Sequence, residues 1–202
     1  LDELMLGFPP DARVEKGRTP RIEKPIVFYG SSITQGGCAA KVGSCYTTLL
    51  CRRLDAAQIN LGFSGSGRGE ENMARYIASL DMSAFVLDYD HNAPTVEHLE
   101  KTHERFFSIV REAHPDLPIV MMSKPDFDSD RVGNALRRNV IARTYAHALE
   151  NGDKNVWFIN GESFFGNHER EICTVDGCHP TSVGFLRMAD VVEAVLRPVL
   201  YK

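Results

Sequence analysis

The stretch PIVFYGSSITQGG, residues 25–37, decides the fold. An apolar run bounded by Pro25 and Gly30 reads as a short buried β-strand. Two serines follow at once, then Thr34 and a further pair of glycines. Such a junction can be a plain turn, a phosphate cradle or a nucleophile held at a strand end. No lysine follows GSSITQGG to complete a phosphate loop, which weakens the cradle.

Beyond this stretch the chain alternates. SCYTTLLCRRLDA reads as a helix with Ser44 as its cap, AQINLG as a second strand, and EENMARYIASLD as a helix. AFVLDY is a third strand, and the amphipathic run TVEHLEKTHERFFSIVREAH is a helix capped near Thr95. LPIVMMS is a fourth strand, and a helix to residue 151 follows that Gly152 can end. NVWFIN is a fifth strand, and TSVGFLRMADVVEAVLRPVL is the last helix, led in by Pro180. Short buried strands separated by helices give a parallel sheet covered on both faces. With right-handed crossovers the expected fold is α/β, a doubly wound three-layer sandwich on a five-stranded parallel sheet. Residues 1–25 hold four prolines without a clean period and read as an extended lead-in or linker remnant. Residues 26–202 are then the single functional domain.

Bulk numbers exclude several classes. The 202 residues are 43% hydrophobic and 25% charged, and carry a formal charge of -4. That balance argues against nucleic acid or an anionic membrane as partner, since both call for clustered Lys and Arg. No apolar run reaches the roughly 18 residues of a transmembrane helix. No signal peptide is visible, and the start at Leu1 rather than Met fits a processed or excised piece. Neither compartment nor oligomeric state is set by the sequence. Cys173 and Cys178 are close enough to pair across a small loop, with free thiols as the alternative.

In such sheets ligands bind at the carboxyl ends of the strands. Pointed residues collect there: Ser31 and Ser32 after the first strand, NLGFSGSGRGE after the second, DYDHNAP after the third, and VDGCHP before the last helix. Acyl transfer needs these groups. A serine hydroxyl is a weak nucleophile until a base takes its proton, and His179 can be that base. Asp176, three residues ahead, can fix the imidazole tautomer and stabilise its positive charge. An oxyanion needs fixed donors. Candidates are the N–H of Ser32, the N–H of Gly65 and the side-chain amide of Asn92.

GSSITQG, NLGFSG, DHN and DGCHP stand in the order of the four blocks of the SGNH hydrolases, also called GDSL-type esterases and lipases. The chain resembles that family over about residues 25–195, and is most similar to a bacterial branch whose first block reads G-S-S-I-T-Q-G. The resemblance implies a flavodoxin-like SGNH fold with no cofactor and no metal. It makes Ser32 the nucleophile, Asp176 and His179 its partners, and Ser32, Gly65 and Asn92 the oxyanion hole. It also implies a small β-rich domain upstream. Two departures stand out: Ser31 occupies the place of the family's usual Asp, and Asn92 lacks its usual flanking Gly and Asp.

Other readings of these residues are blander. Ser31, His91 and Arg68 are candidates to line the substrate; Ser31 is also the rival nucleophile, but the resemblance favours Ser32 and leaves Ser31 as a structural hydroxyl. Asp88 ties down a strand end, and Glu70 is a solvated helix start. Lys124 and Asp126 contact substrate or shape their loop. Cys173, Cys178 and His179 fit no common zinc spacing. The expected activity is hydrolysis of a carboxylic ester through an acyl-enzyme, with a short acyl group on a carbohydrate or other small molecule as substrate. Acyl transfer by the same triad, or a catalytically weakened carbohydrate-binding module, are the alternatives.

Overall fold

In the computed structural model, which describes residues 3–125 and 128–202, all five apolar runs become strands. These are β1 (Ile22–Gly30), β2 (Ala56–Gly62), β3 (Ala84–Asp88), β4 (Ile119–Met122) and β5 (Val156–Ile159). They form one parallel sheet in the order β2-β1-β3-β4-β5. The fold is thus the α/β sandwich that the alternation implies. β1 starts three residues before Pro25, where the sequence suggested an edge. Proline has no N–H to give the ladder, and the β1–β2 register shifts between Ile22 and Ile26.

Alternate residues of the sheet feed two cores. Phe28, Val86 and Val120 face one core, with Tyr46 and Leu50 of α2 (Tyr46–Arg53) and Phe185, Met188 and Val192 of α6 (Ser182–Leu200). Tyr29, Phe85 and Leu87 face the other. There they meet Ile77 of α3 (Glu71–Ala78), Phe106 and Val110 of α4 (Val96–Ala113), and Val140 and Ile141 of α5 (Arg131–Glu150). Tyr29 stacks on Phe106 with ring centroids 4.7 Å apart. Truncating a buried aromatic such as Phe106 or Phe185 to Ala costs about 3–5 kcal/mol.

The helix boundaries are mostly those of the pattern. Thr95 caps α4 by accepting from His98 N. Gly152, at φ +84°, follows the end of α5. Two details differ. Cys45, not Ser44, holds the cap position of α2, with no side-chain cap bond. Thr181 caps α6 by accepting from Gly184 N, so Pro180 lies outside the helix, in an isolated bridge to Thr174. Cys173 is a buried free thiol whose Sγ accepts from Arg187 Nη1 at 3.3 Å, so no disulfide to Cys178 forms. Among the described residues, no helix is long and apolar enough to cross a membrane. Asp126 lies outside the described residues.

The chain leaves β1 toward β2 on one side and returns to β3 on the other. Strand order therefore reverses between β1 and β3, which makes their carboxyl ends the natural ligand crevice.

Candidate active site

The chain leaves β1 into α1 (Ser32–Gln35), a single helical turn that the sequence pattern did not reveal. Ser31 is its cap: Oγ accepts from Ile33 N at 3.1 Å, and the residue is fully buried. Ser32 is the first helical residue, so its own N–H has no acceptor within the turn. Its hydroxyl lies 2.9 Å from His179 Nε2.

His179 stands on an exposed turn before α6. Its Nδ1 is 2.7 Å from Asp176 Oδ2, while Asp176 Oδ1 accepts from the N–H groups of His179 at 2.7 Å and Cys178 at 2.9 Å. Gly177, at φ +77°, takes the left-handed conformation that folds the carboxylate back over the ring. The bonds to the His179 side chain and backbone hold the Asp176 carboxyl down at about 2. An ionised carboxylate only accepts, so Nδ1 donates to Asp176, and in the neutral imidazole Nε2 is the nitrogen that accepts from the Ser32 hydroxyl.

The loop after β2 is tied to both neighbours. Phe63 N donates to Gly30 O at 2.9 Å. Phe63 O accepts from Ser66 N, Gly67 N and, at 2.8 Å, Asn92 Nδ2. One amide hydrogen of Asn92 is thereby spent on orienting the group, and the other remains for a ligand. Gly65 sits in the bend at φ +67°. Arg68 is exposed, and its Nε donates to Gly65 O at 2.9 Å. Glu70 does more than begin a helix in solvent: it accepts from Tyr29 OH at 2.5 Å and from Arg68 N, so it closes the glycine turn onto the core.

Beneath the turn lies a buried polar group. Asp88, last residue of β3, accepts on Oδ2 from Thr34 Oγ1 at 2.9 Å and Tyr46 OH at 3.0 Å. Asp90 Oδ2 accepts from Lys124 N at 3.0 Å. Asp90 Oδ1 lies 3.1 Å from His91 Nδ1, an ion-pair distance whose angles fall short of a hydrogen bond. Burial, then the Asp90 charge, pushes the Asp88 carboxyl up to about 8. Burial also disfavours charge on Asp90, but His91 and the Lys124 N–H outweigh it and hold that carboxyl low. Ligand atoms of Asp88, Asp90 and His91 fall within 4.8 Å of one another, the one such cluster among the described residues that could hold a cation. Asp88 Oδ2 and Asp90 Oδ2 already accept from protein donors, whereas Asp88 Oδ1, Asp90 Oδ1 and both His91 ring nitrogens are buried without a hydrogen-bond partner.

The structure thus brings Ser32, His179 and Asp176 into one relay, and ties the Gly65 and Asn92 loops together through Phe63. It does not place Ser31 or His91 against substrate. Ser31 is fully buried by its capping role, and the His91 side chain is only 6% exposed, turned in toward Asp90. Thr34, Tyr46 and Asp88 form a support that the sequence reading missed. Their spacing carries no motif, and only Asp88, an acid closing an apolar strand, offered a signal.

Together, fold and geometry define a parallel α/β protein in which Ser32, His179 and Asp176 lie in hydrogen-bonded series at the switch point of its sheet. The chain belongs to the GDSL-like lipase/acylhydrolase family, which it matches over residues 23–197. It is similar to a Bacteroides ovatus protein described as a GDSL-like lipase, with 32% identity and a TM-score of 0.84 over 95% of this chain and 58% of that one. It also shares its fold with a salicylyl-acyltransferase from a tetracycline biosynthetic pathway, at 22% identity and TM-score 0.74 over 92% of this chain and 56% of that one. A family two carbohydrate esterase from Clostridium thermocellum, solved with cellohexaose, aligns at 18% identity and TM-score 0.74 over 93% of this chain and 67% of that one. The chain therefore spans less than three fifths of the first two of these proteins. No curated protein matches it.

Proposed function

We propose that this chain is a serine esterase that hydrolyses carboxylic esters through an acyl-enzyme. The observation that carries the reading is the continuous relay Ser32 Oγ–His179 Nε2–Asp176, at 2.9 and 2.7 Å. His179 takes the Ser32 proton as the hydroxyl attacks the ester carbonyl, and Asp176 stabilises the imidazolium. The Ser32 and Gly65 N–H groups and the Asn92 amide receive the oxyanion. His179 then protonates the leaving alcohol. Water attacks the acyl-enzyme, His179 removes its proton, and the acid leaves as Ser32 regains its own.

For the substrate we propose a short acyl group on a carbohydrate, supported by the fold shared with the carbohydrate esterase. Arg68, exposed beside Gly65, is the side chain that meets it. We read residues 1–21, which precede β1, as the junction to a β-rich upstream domain, a reading supported by the greater length of the similar proteins. The fold shared with an acyltransferase supports a second reading, in which an alcohol replaces water. Turnover of p-nitrophenyl acetate, its loss in Ser32→Ala, and a fluorophosphonate label mapped to Ser32 test the first reading. A label on Ser31 or on a distant serine refutes it. A folded chain with no turnover returns it to a binding module, and ester formation with added alcohols selects transfer.

A further inference from the structure

A single turn of helix cannot hold itself in place, because closing one hydrogen-bonded turn costs more order than it returns. α1 carries Ser32 and is such a turn. Its cap from Ser31 fixes only its first N–H groups. Its position relative to the sheet must come from below. Thr34, two residues past Ser32, is fully buried under the turn and donates to Asp88 Oδ2 at 2.9 Å. Tyr46 OH reaches the same oxygen at 3.0 Å, and Asn60 Nδ2 donates to Thr34 O at 2.7 Å.

Asp88 pairs across the sheet with Gly30, the residue from which the turn departs. The space between them is full. A Cβ at Gly30 would stand 2.1 Å from both Asp88 O and Thr34 Oγ1. A carboxyl group fixed by its strand, two hydroxyls converging on one oxygen, and no slack at Gly30 make a rigid seat. Displacing any part of it moves Ser32 against His179.

We propose that Asp88 is the positioning residue for the nucleophile: through Thr34 and Tyr46 it sets where Ser32 Oγ lies relative to His179 Nε2. This rests on the reading of Ser32 as nucleophile. Asp88 does not touch substrate and moves no proton of the reaction. Its Oδ2 is needed as an acceptor, and burial beside Asp90 keeps the group protonated at neutral pH, so an amide is the nearest replacement.

The test compares kcat and KM on p-nitrophenyl acetate, and the rate of fluorophosphonate labelling, in Asp88→Ala, Asp88→Asn, Thr34→Val and Tyr46→Phe. A misplaced nucleophile costs rate rather than affinity. Asp88→Ala should lower kcat and labelling by about 10- to 100-fold at unchanged KM. Asp88→Asn should recover most of that loss. Thr34→Val should reproduce part of it, and Tyr46→Phe less. A folded Asp88→Ala with wild-type kcat overturns the proposal, as does an Asp88→Asn no better than Asp88→Ala. Should Asp88→Ala fail to fold, Thr34→Val decides alone, and wild-type kcat there is equally fatal. Ser32→Ala separates the two readings. Full activity in that variant removes the nucleophile itself, whereas a dead Ser32→Ala beside fully active seat variants removes only the role of Asp88.

Discussion

The two halves of the relay are built in opposite ways. The turn of Ser32, the proposed nucleophile, is seated through its own buried Thr34 on groups from distant parts of the chain, Tyr46 and Asp88, with Asn60 alongside. The turn of Asp176 and His179 is local and wet. Its Asp176 side chain is 48% exposed and that of His179 30%, and the carboxylate is fixed by N–H groups of its own turn. The contrast follows from what each part must do. A histidine that shuttles protons needs the right tautomer and a pivot, which four neighbouring residues can supply. A nucleophile must lie in line with three loops at once, and only the sheet that carries those loops can hold it there.

The largest effects should come where the halves meet. Ser32→Ala and His179→Ala are each expected to cost about 10⁴-fold or more in kcat without unfolding the chain, read by ester turnover and circular dichroism. Asp176→Ala should cost less than His179→Ala, about 10²–10⁴-fold, because water can reach the turn and replace part of the lost partner. A loss equal to that of His179→Ala would break the contrast drawn above. Asn92→Ala should lower kcat by about 10²–10³-fold, the range for one oxyanion donor. Activity near wild type in that variant removes Asn92 from the oxyanion hole. Gly30→Ala should strike the buried half through packing, costing about 1–3 kcal/mol in denaturant titration as the added methyl forces Asp88 and Thr34 apart.

The smallest effect is a pH dependence of stability. Asp88 is raised to about 8 by burial and by Asp90, from an ordinary 3.8, so the folded chain keeps a proton that the unfolded chain releases. Its contribution is complete below the ordinary value and fades as pH climbs to about 8. His103, lowered to about 4 by burial, acts in the opposite sense, losing stability as pH falls below its ordinary 6.5. The two oppose each other in the acid range, and of the two only Asp88 acts between 6.5 and about 8. Melting temperature should therefore fall across that window more steeply in the wild type than in Asp88→Asn. An identical fall in both would clear Asp88 of responsibility.

Much of this was readable beforehand, and the reasons are physical. The strand at Val27 announces itself as a continuous apolar run between Pro25 and Gly30, and the helix at Phe106 through the period of 3.6. The local half of the relay was readable too, because Asp176 and His179 interact within their own turn. The support under Ser32 was not. No sequence pattern shows that the hydroxyls of Thr34 and Tyr46 turn to one carboxyl group, 54 and 42 residues away. The same limit explains Ser31 and His91. Sequence put them beside reactive neighbours, while packing turned Ser31 into a cap and His91 toward Asp90.

One carbonyl, that of Phe63, collects Asn92, Ser66 and Gly67, while the N–H of the same residue goes to Gly30. Under the esterase reading proposed above, a redesign of acyl preference must treat the backbone of Phe63 as a fixed post. Side chains around it, Arg68 foremost, are the adjustable parts. Inserting or deleting a residue between Gly62 and Gly67 would cut the mooring of the nucleophile loop and the Asn92 loop together, so selectivity here is to be altered by exchange of side chains and not by change of loop length.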